Sequence, residues 1–538
     1  MMEHPTNSND IEDARRRIAD LLDARGEWFC SVLDHVRRGH RAVAPIALRR
    51  GEWEVSTSNA SLLFSAWSEQ GTLLWRVTGW EWTGEKLVLE ATRRMGAERA
   101  TLELVPRASA SAALMALTAA RLAAAERLSK LARALVGPGT QVERLGLSTG
   151  ARRGEPGRYA RIMLRTRGAR GGRRVAVTGP VADLRRHQVD SFLASALLWW
   201  FRIGDKKANS HPTPLWLIVT HQTAGAVGER LALLREALRR DIALYEVDEA
   251  RENLAPASTP ELRELLRADT AARFKRPARV EGSGLAERII ALDPEAVDVV
   301  RAGHGETLRF RGLAFARVRR IGDGEHLWFG VDGAQRRRLL DESSWPQLLK
   351  LIEELSEHRR ADARDAHHAL YKNAPEAWLE SLLRRDITRL DPGLIISPLH
   401  AQFRTFQTDV PSGARPIDLL ALRRDGRLAV IELKATEDIT LPLQGADYWR
   451  RVETHRRAGS IARTKLFGDA VIADESPLVY LVAPTLRFHR AFDTLSHAVS
   501  TDIEMYRFDI NEDWRAGVRV MRRVCANQSA PDPASDVF

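Results

Sequence analysis

Asp418, Glu432 and Lys434 stand within one short stretch of this 538-residue chain, two carboxylates and an ammonium on neighbouring apolar runs. In RLAVIELKA a period of two puts Leu428, Val430, Glu432 and Lys434 on one strand face and Ala429, Ile431 and Leu433 on the other. Charging such a strand is costly unless the charges have partners. Asp418, in the adjacent run PIDLLALRR, supplies one. Two carboxylates can hold a hard divalent cation through oxygen. With an ammonium beside them they meet the needs of phosphodiester hydrolysis, which are charge neutralisation at phosphate, a water of lowered pKa and a group to position it.

Positioning these groups requires a hairpin and two helices. HAQFRTFQTDV reads as a strand, PIDLLALRR as a second, Asp425-Gly426 as the tight turn and RLAVIELKA as the third strand. Upstream, PEAWLESLLRRDI opens on Pro375 and carries Leu379, Leu382, Leu383 and Ile387 at helical spacing. Glu376 and Glu380 border that apolar stripe, and Glu380 is the candidate to complete the shell of the site. Downstream, Gln444 and Tyr448 are four residues apart, so one helical face presents both.

This set resembles the PD-(D/E)XK nuclease superfamily, with Asp418 as its Asp and Glu432-Leu433-Lys434 as its (D/E)XK. The resemblance covers about Asn373 to Arg523, and Gln444 to Tyr448 is similar to the QxxxY element of RecB-like members. It implies a restriction-endonuclease-like α/β domain, a mixed sheet flanked by helices, acting as a Mg²⁺-dependent DNA nuclease of endonuclease outline, with Mn²⁺ as the substitute metal. By the resemblance, Asp418, Glu432 and the Leu433 carbonyl bind metal, Lys434 orients the attacking water, and Gln444 and Tyr448 help hold the substrate strand. The Arg that RecB-like members often carry just before the aspartate's strand is displaced to Arg415. An alternative class is a non-catalytic nucleic-acid-binding or assembly protein built from nuclease-like modules. RNA as the substrate uses the same site.

A weak internal repeat extends the reading. PLWLIVTHQ from Pro214 and PLVYLVAPT from Pro477 each open an apolar strand, then a helix, then the string DIxxYxxD at Asp241 to Asp248 and Asp502 to Asp509. Aligning RRVAVTGPVA with GRLAVIELKA sets Gly179 against Glu432 and Val181 against Lys434. The first copy is therefore expected to be a degenerate, non-catalytic module that binds or scaffolds.

Charge is uneven along the chain. The formal net charge is +11; residues 371–525 carry +2 and residues 1–370 carry +11. Long-range, salt-sensitive attraction to nucleic acid is thus expected from the N-terminal part. Arg165, Arg167 and Arg170, in an Arg-rich hairpin from Arg152 to Arg174, are candidate phosphate contacts, as are Arg450, Arg451, Arg456 and Arg457 after the Gln444–Tyr448 face.

Composition bounds the rest. Hydrophobic residues make up 44% and charged residues 28% of the chain, the balance of a globular protein. The longest apolar run, FLASALLWWF, is too short to span a membrane. No signal-like leader or GxxxxGK[ST] motif occurs, so a cytoplasmic, ATP-independent protein without membrane partners is expected, with a homo-oligomer left open. The two cysteines, Cys30 and Cys525, cannot form a knuckle or an iron–sulfur site.

The fold class expected is multidomain α/β. Residues 1–140 hold a helix over 10–40, a small β unit and an Ala/Leu-rich helix stopped at Gly137. Residues 141–275 form the degenerate module, 276–370 a second small β unit with a linking helix, 371–525 the nuclease-like domain and 526–538 a disordered tail.

Overall fold

The computed structural model describes residues 2–528 apart from 6–7, 35–40, 43–45, 50, 59–60, 69–70, 85, 94–95, 97, 107–109, 151–155, 167–172, 205–212, 268–281, 303–304, 322–323, 332–337 and 404–415. Arg167, Arg170 and Arg415 lie outside the described residues. The protein is α/β, with antiparallel and mixed sheets flanked by helices, and divides into two compact units, Met1–Leu184 and Arg185–Phe538. The division falls inside the stretch expected to form the degenerate module. Among the described residues no helix is long and apolar enough to cross a membrane.

The first unit begins with α1 (Ser8–Arg25). The helix expected over 10–40 stops at Gly26, whose φ of 74° closes it, and Trp28–Asp34 is instead strand β1. Trp28, Cys30 and Val32 are buried at every second position, a strand period that the helical reading of Trp28 and Phe29 missed. An antiparallel sheet follows from β1 with β2 (Arg41–Ala42), β3 (Ile46–Leu48), β4 (Trp53–Ser58), β5 (Ser61–Ser68), β6 (Gly71–Trp82), β7 (Leu87–Arg93) and β8 (Glu98–Pro106), in the order β2-β1-β8-β7-β6-β5-β4 with β3 on β1. Helix α2 (Ala110–Val136) then packs on β9 (Gln141–Thr149) and β10 (Pro156–Arg165), and β11 (Arg174–Pro180) pairs antiparallel with β10. Arg165 ends β10 and is exposed.

The second unit opens with α3 (Val189–Gly204), β12 (Leu215–Thr220), α4 (His221–Leu231), α5 (Glu236–Arg239), β13 (Ile242–Asp248) and β14 (Asn253–Pro256); β12 and β13 are parallel, β13 and β14 antiparallel. After α6 (Leu262–Arg267) and α7 (Gly284–Ile290), strands β15 (Val297–Ala302), β16 (Gly305–Phe310), β17 (Leu313–Ile321), β18 (Gly324–Phe329) and β19 (Arg338–Leu339) form an antiparallel sheet. Helix α8 (Trp345–His358) seals it with Leu348, Ile352 and Leu355.

Short α9 (Ala369–Lys372) and α10 (Pro375–Arg385) lead into the last sheet. Its strands β20 (His400–Phe403), β21 (Ile417–Leu422), β22 (Leu428–Leu433), β23 (Leu478–Pro484), β24 (Met505–Ile510) and β25 (Val520–Cys525) lie in sequence order. Parallel pairing of β22, β23 and β24 needs crossovers, which α11 (Leu441–Arg457), with α12 (Ser460–Arg463), and α13 (Phe492–Ala498) supply. Alternate β22 residues feed two cores. Ala429, Ile431 and Leu433 pack with Leu379 and Leu383 of α10, while Leu428 and Val430 pack with Tyr448 and Val452 of α11. The disordered tail expected from residue 526 is not found at its start: Ala526 and Asn527 are buried, and Asn527 donates to the Ser500 and Ile503 carbonyls; residues 529–538 lie outside the described residues.

One buried cation holds the entry to α10. Arg359 is fully buried and donates to the carbonyls of Phe310, Arg311, Leu370, Asn373 and Ala374 while lying 4.7 Å from the Trp378 ring. It thereby fixes Ala374, whose φ of 45° starts the helix bearing Glu376 and Glu380. Arg359→Met keeps most of the volume and leaves those acceptors without their donor. At about 1–3 kcal/mol per stranded group, it should cost at least about 3 kcal/mol in chemical unfolding of the second unit; a loss under about 0.5 kcal/mol would contradict the role.

Candidate active site

The β21–β22 hairpin builds the site by register. Leu419 faces Ile431, which sets Asp418 beside Glu432 on the face toward α11. The turn closes at Gly426 with φ of 84°, where a Cβ would sit 2.7 Å from the Val471 carbonyl oxygen. Asp418 Oδ2 accepts from the Leu433 backbone N–H at 2.9 Å, and its Oδ1 from Gln402 Nε2 at 3.3 Å. Glu432 is 2% exposed; Lys434 Nζ donates to its Oε1 at 2.7 Å, and Oε2 is buried. Lys434 Nζ also lies 3.5 Å from Asp438 Oδ2.

Burial pushes the Glu432 carboxyl well up, and the Asp418 charge adds to it. Burial raises Asp418 too, against the Leu433 N–H that favours its ionised form. Burial opposes the charge on Lys434, yet Glu432 and Asp438 hold its ammonium above the usual lysine range. Burial and mutual repulsion thus favour a proton held between the Asp418 and Glu432 carboxyls, the place a divalent cation would take.

Glu380 is also buried and raised by burial, but it is tied to Arg309 at 3.2 Å and to Gln402 Nε2 at 2.7 Å. It reaches Asp418 only through the Gln402 amide. Glu376 has a separate task, accepting from the Ala435 N–H at 3.2 Å and so holding the backbone just past Lys434. Among the described residues no three His, Cys, Asp or Glu side chains are arranged to hold a metal. The donor set that fits a hard cation is the pair of oxygen ligands Asp418 and Glu432, whose carboxyls meet each other beside Lys434.

Gln444 donates from Nε2 to the Tyr448 hydroxyl at 2.8 Å on the buried side of α11, and its own Oε1 is buried without a partner. Burial and the Glu432 charge raise the Tyr448 phenol, so it stays protonated beside the carboxylates. Asp418, Glu432, Lys434, Gln444 and Tyr448 thus converge, with Glu380 one amide away.

The four arginines after them are engaged elsewhere. Arg450 and Arg451 pair with Asp447, and Arg456 and Arg457 with Glu453. Asp447 is fully buried, and although burial would raise it, Arg230, Arg451 and Arg450 hold it far below the carboxylate range. Arg230 of α4 bridges Asp190 of α3 to Asp447.

Sequence reading missed Gln402, Asp438 and Arg309. Gln402 takes a left-handed φ of 49° within β20, for which its sequence carries no signal. Asp438 follows Lys434 by four residues and was visible as a neighbouring acid.

No protein-family model matches the chain, and no curated protein does. Among solved structures, an EndoMS–double-stranded DNA complex shares 12% identity at a TM-score of 0.13, covering 41% of this chain and 89% of that one. A repair endonuclease from Pyrococcus abyssi shares 12% at 0.10, covering 41% and 88%. Both likenesses are too weak to define the fold.

The raised Glu432 pKa has a stability consequence. Above its unfolded value near 4.5 the folded state keeps a proton that the unfolded chain releases, so this group's contribution falls as pH rises through the folded pKa. Without divalent metal, Glu432→Gln should therefore gain stability relative to wild type as pH rises from about 4.5 to 8, read by urea unfolding at each pH. A difference that stays flat or reverses would contradict the shift.

Proposed function

We propose that residues 371–525 form a PD-(D/E)XK-type, divalent-metal-dependent nuclease that hydrolyses phosphodiester bonds in DNA, with Mg²⁺ as the metal. The observation that supports the reading is the half-buried Asp418 carboxyl set against the buried Glu432 carboxyl, with Lys434 Nζ 2.7 Å from Glu432 Oε1. A structural ion pair would set one acid against one base; here two acids whose ionised forms burial disfavours are set against each other beside a single lysine.

Asp418, Glu432 and the Leu433 carbonyl would hold the metal, which supplies charge neutralisation at phosphate and acidifies a water. Lys434 stays protonated, so it acts by orienting that water and by stabilising charge that develops on phosphate, not as a base. Gln444 and Tyr448, buried and bonded to each other, act by ordering α11 behind the two carboxylates, and the resemblance extends their role to holding the substrate strand. Glu380, through Gln402, keeps Asp418 aimed at Glu432. Glu376 fixes the turn after Lys434 so that its ammonium stays in the site.

Two measurements test this. On single-stranded and duplex DNA with Mg²⁺, cleavage should fall by about 10²–10³-fold or more in Lys434→Ala, the cost of deleting a group that stabilises transition-state charge. Cleavage equal in both proteins would place the chemistry elsewhere; salt-sensitive binding without cleavage by either would favour the non-catalytic class.

The second uses no turnover. Mg²⁺ or Mn²⁺ should raise the melting temperature of wild type and not that of Asp418→Asn/Glu432→Gln, because a ligand that binds only the folded state stabilises it by mass action. Equal shifts in both proteins would remove the metal from this pair.

A further inference from the structure

The order β9, β10, β11, α3, β12, α4, β13, β14 repeats as β20, β21, β22, α11, β23, α13, β24, β25. The pairings repeat as well: antiparallel in β9–β10–β11 and β20–β21–β22, parallel in β12–β13 and β23–β24, antiparallel in β13–β14 and β24–β25. In the β10–β11 ladder Ala160 faces Gly179. These are the places that Asp418 and Glu432 hold in the β21–β22 hairpin. The first copy has thus lost both carboxylates, leaving one methyl group and one hydrogen where two metal ligands would stand.

Within the second unit, elements of the two copies pack reciprocally. First-copy α3 packs on second-copy α13, and second-copy α11 meets first-copy α4 through Arg230–Asp447 and Arg450–Glu229, while α3 and α11 pack on each other. The segments that follow α4 and α13 form an antiparallel bridge, Leu234 against Val499. In it the Arg235 N–H donates to the Ala498 carbonyl at 2.9 Å and the Ser500 N–H to the Leu233 carbonyl at 2.8 Å. Contacts of i with j matched by j with i, and like segments running antiparallel, are the marks of an isologous two-fold interface. Here the chain makes that interface with itself, and a second copy has no place on it.

We propose, on the reading above, that the second unit is built as an internal pseudo-dimer, that the β10–β11 hairpin holds no cutting centre, and that the chain, with a single cutting centre, nicks one strand of duplex DNA per encounter. Two-fold architecture matches the two-fold relation of duplex strands. Two live centres would cut both strands together, whereas Ala160 and Gly179 leave the first copy to hold and not to cut.

The full-length chain, at a concentration below that of a supercoiled plasmid, is incubated with Mg²⁺ and sampled over time, with single-stranded circular DNA and RNA in parallel and Lys434→Ala as the contamination control. The expected course is nicked circle as the sole initial product, with linear DNA arising only after a lag from independent second nicks. Linear DNA at the earliest points, in constant ratio to nicked circle, overturns the proposal, as does a nicking rate that rises with the square of protein concentration. Cleavage confined to single strands or RNA overturns it and leaves a nuclease. No cleavage of any substrate removes the nuclease reading and this inference with it.

Discussion

Two carboxylates held side by side where water does not reach lose their hydration and repel each other, and without compensation one of them takes up a proton. The last sheet is arranged around that problem. Hairpin register sets Asp418 beside Glu432, and β22 is covered on both faces, so Glu432 is held from solvent while Asp418 keeps partial exposure. The compensation provided is one backbone N–H and one amide on Asp418, one ammonium on Glu432, and a hydrogen bond between the two carboxyls that needs one of them protonated. A site built for stability alone would be fully satisfied or apolar. Local strain of this kind is retained where chemistry uses it.

Holding the strain takes support from outside the hairpin. Arg359 ties five carbonyls around the start of α10, so Glu376 can grip the backbone past Lys434 and Glu380 can grip Gln402. On the other face, α11 carries Gln444 and Tyr448 and is fixed at Asp447 by arginines from two helices. Removing Arg230 would take from Asp190 the guanidinium it is paired with and leave Asp447 to Arg450 and Arg451 alone. Helices α3 and α4 therefore contribute to the rigidity of the helix that carries Gln444 and Tyr448.

Much of the site was legible because two local rules cover it. A strand period of two decides which of Leu428 to Lys434 share a face, and the Asp425-Gly426 turn decides which residues of β21 and β22 oppose each other. The i, i+4 rule brings Gln444 to Tyr448. What was not legible depends on distance or on backbone conformation. Gln402 works only because one strand residue adopts a left-handed φ, and Arg230 meets Asp447 across 217 residues of sequence. Arg450, Arg451, Arg456 and Arg457 were read as a basic face. The acids that claim them, Asp447 and Glu453, precede them by three and four residues on the same helix, so the pairing pattern was present in the sequence. The end of α1 was misplaced because Trp28 and Phe29 satisfy helical spacing as well as strand spacing; Gly26 decided between them.

The most direct test of the central claim is diffraction from crystals grown with Mn²⁺, measured at a wavelength where manganese scatters anomalously. The account predicts one anomalous peak shared by the Asp418 and Glu432 carboxylates, with Lys434 displaced from Glu432 Oε1. Crystals that hold Mn²⁺ elsewhere while the Lys434–Glu432 pair stays closed and no peak lies between the two carboxylates would contradict it.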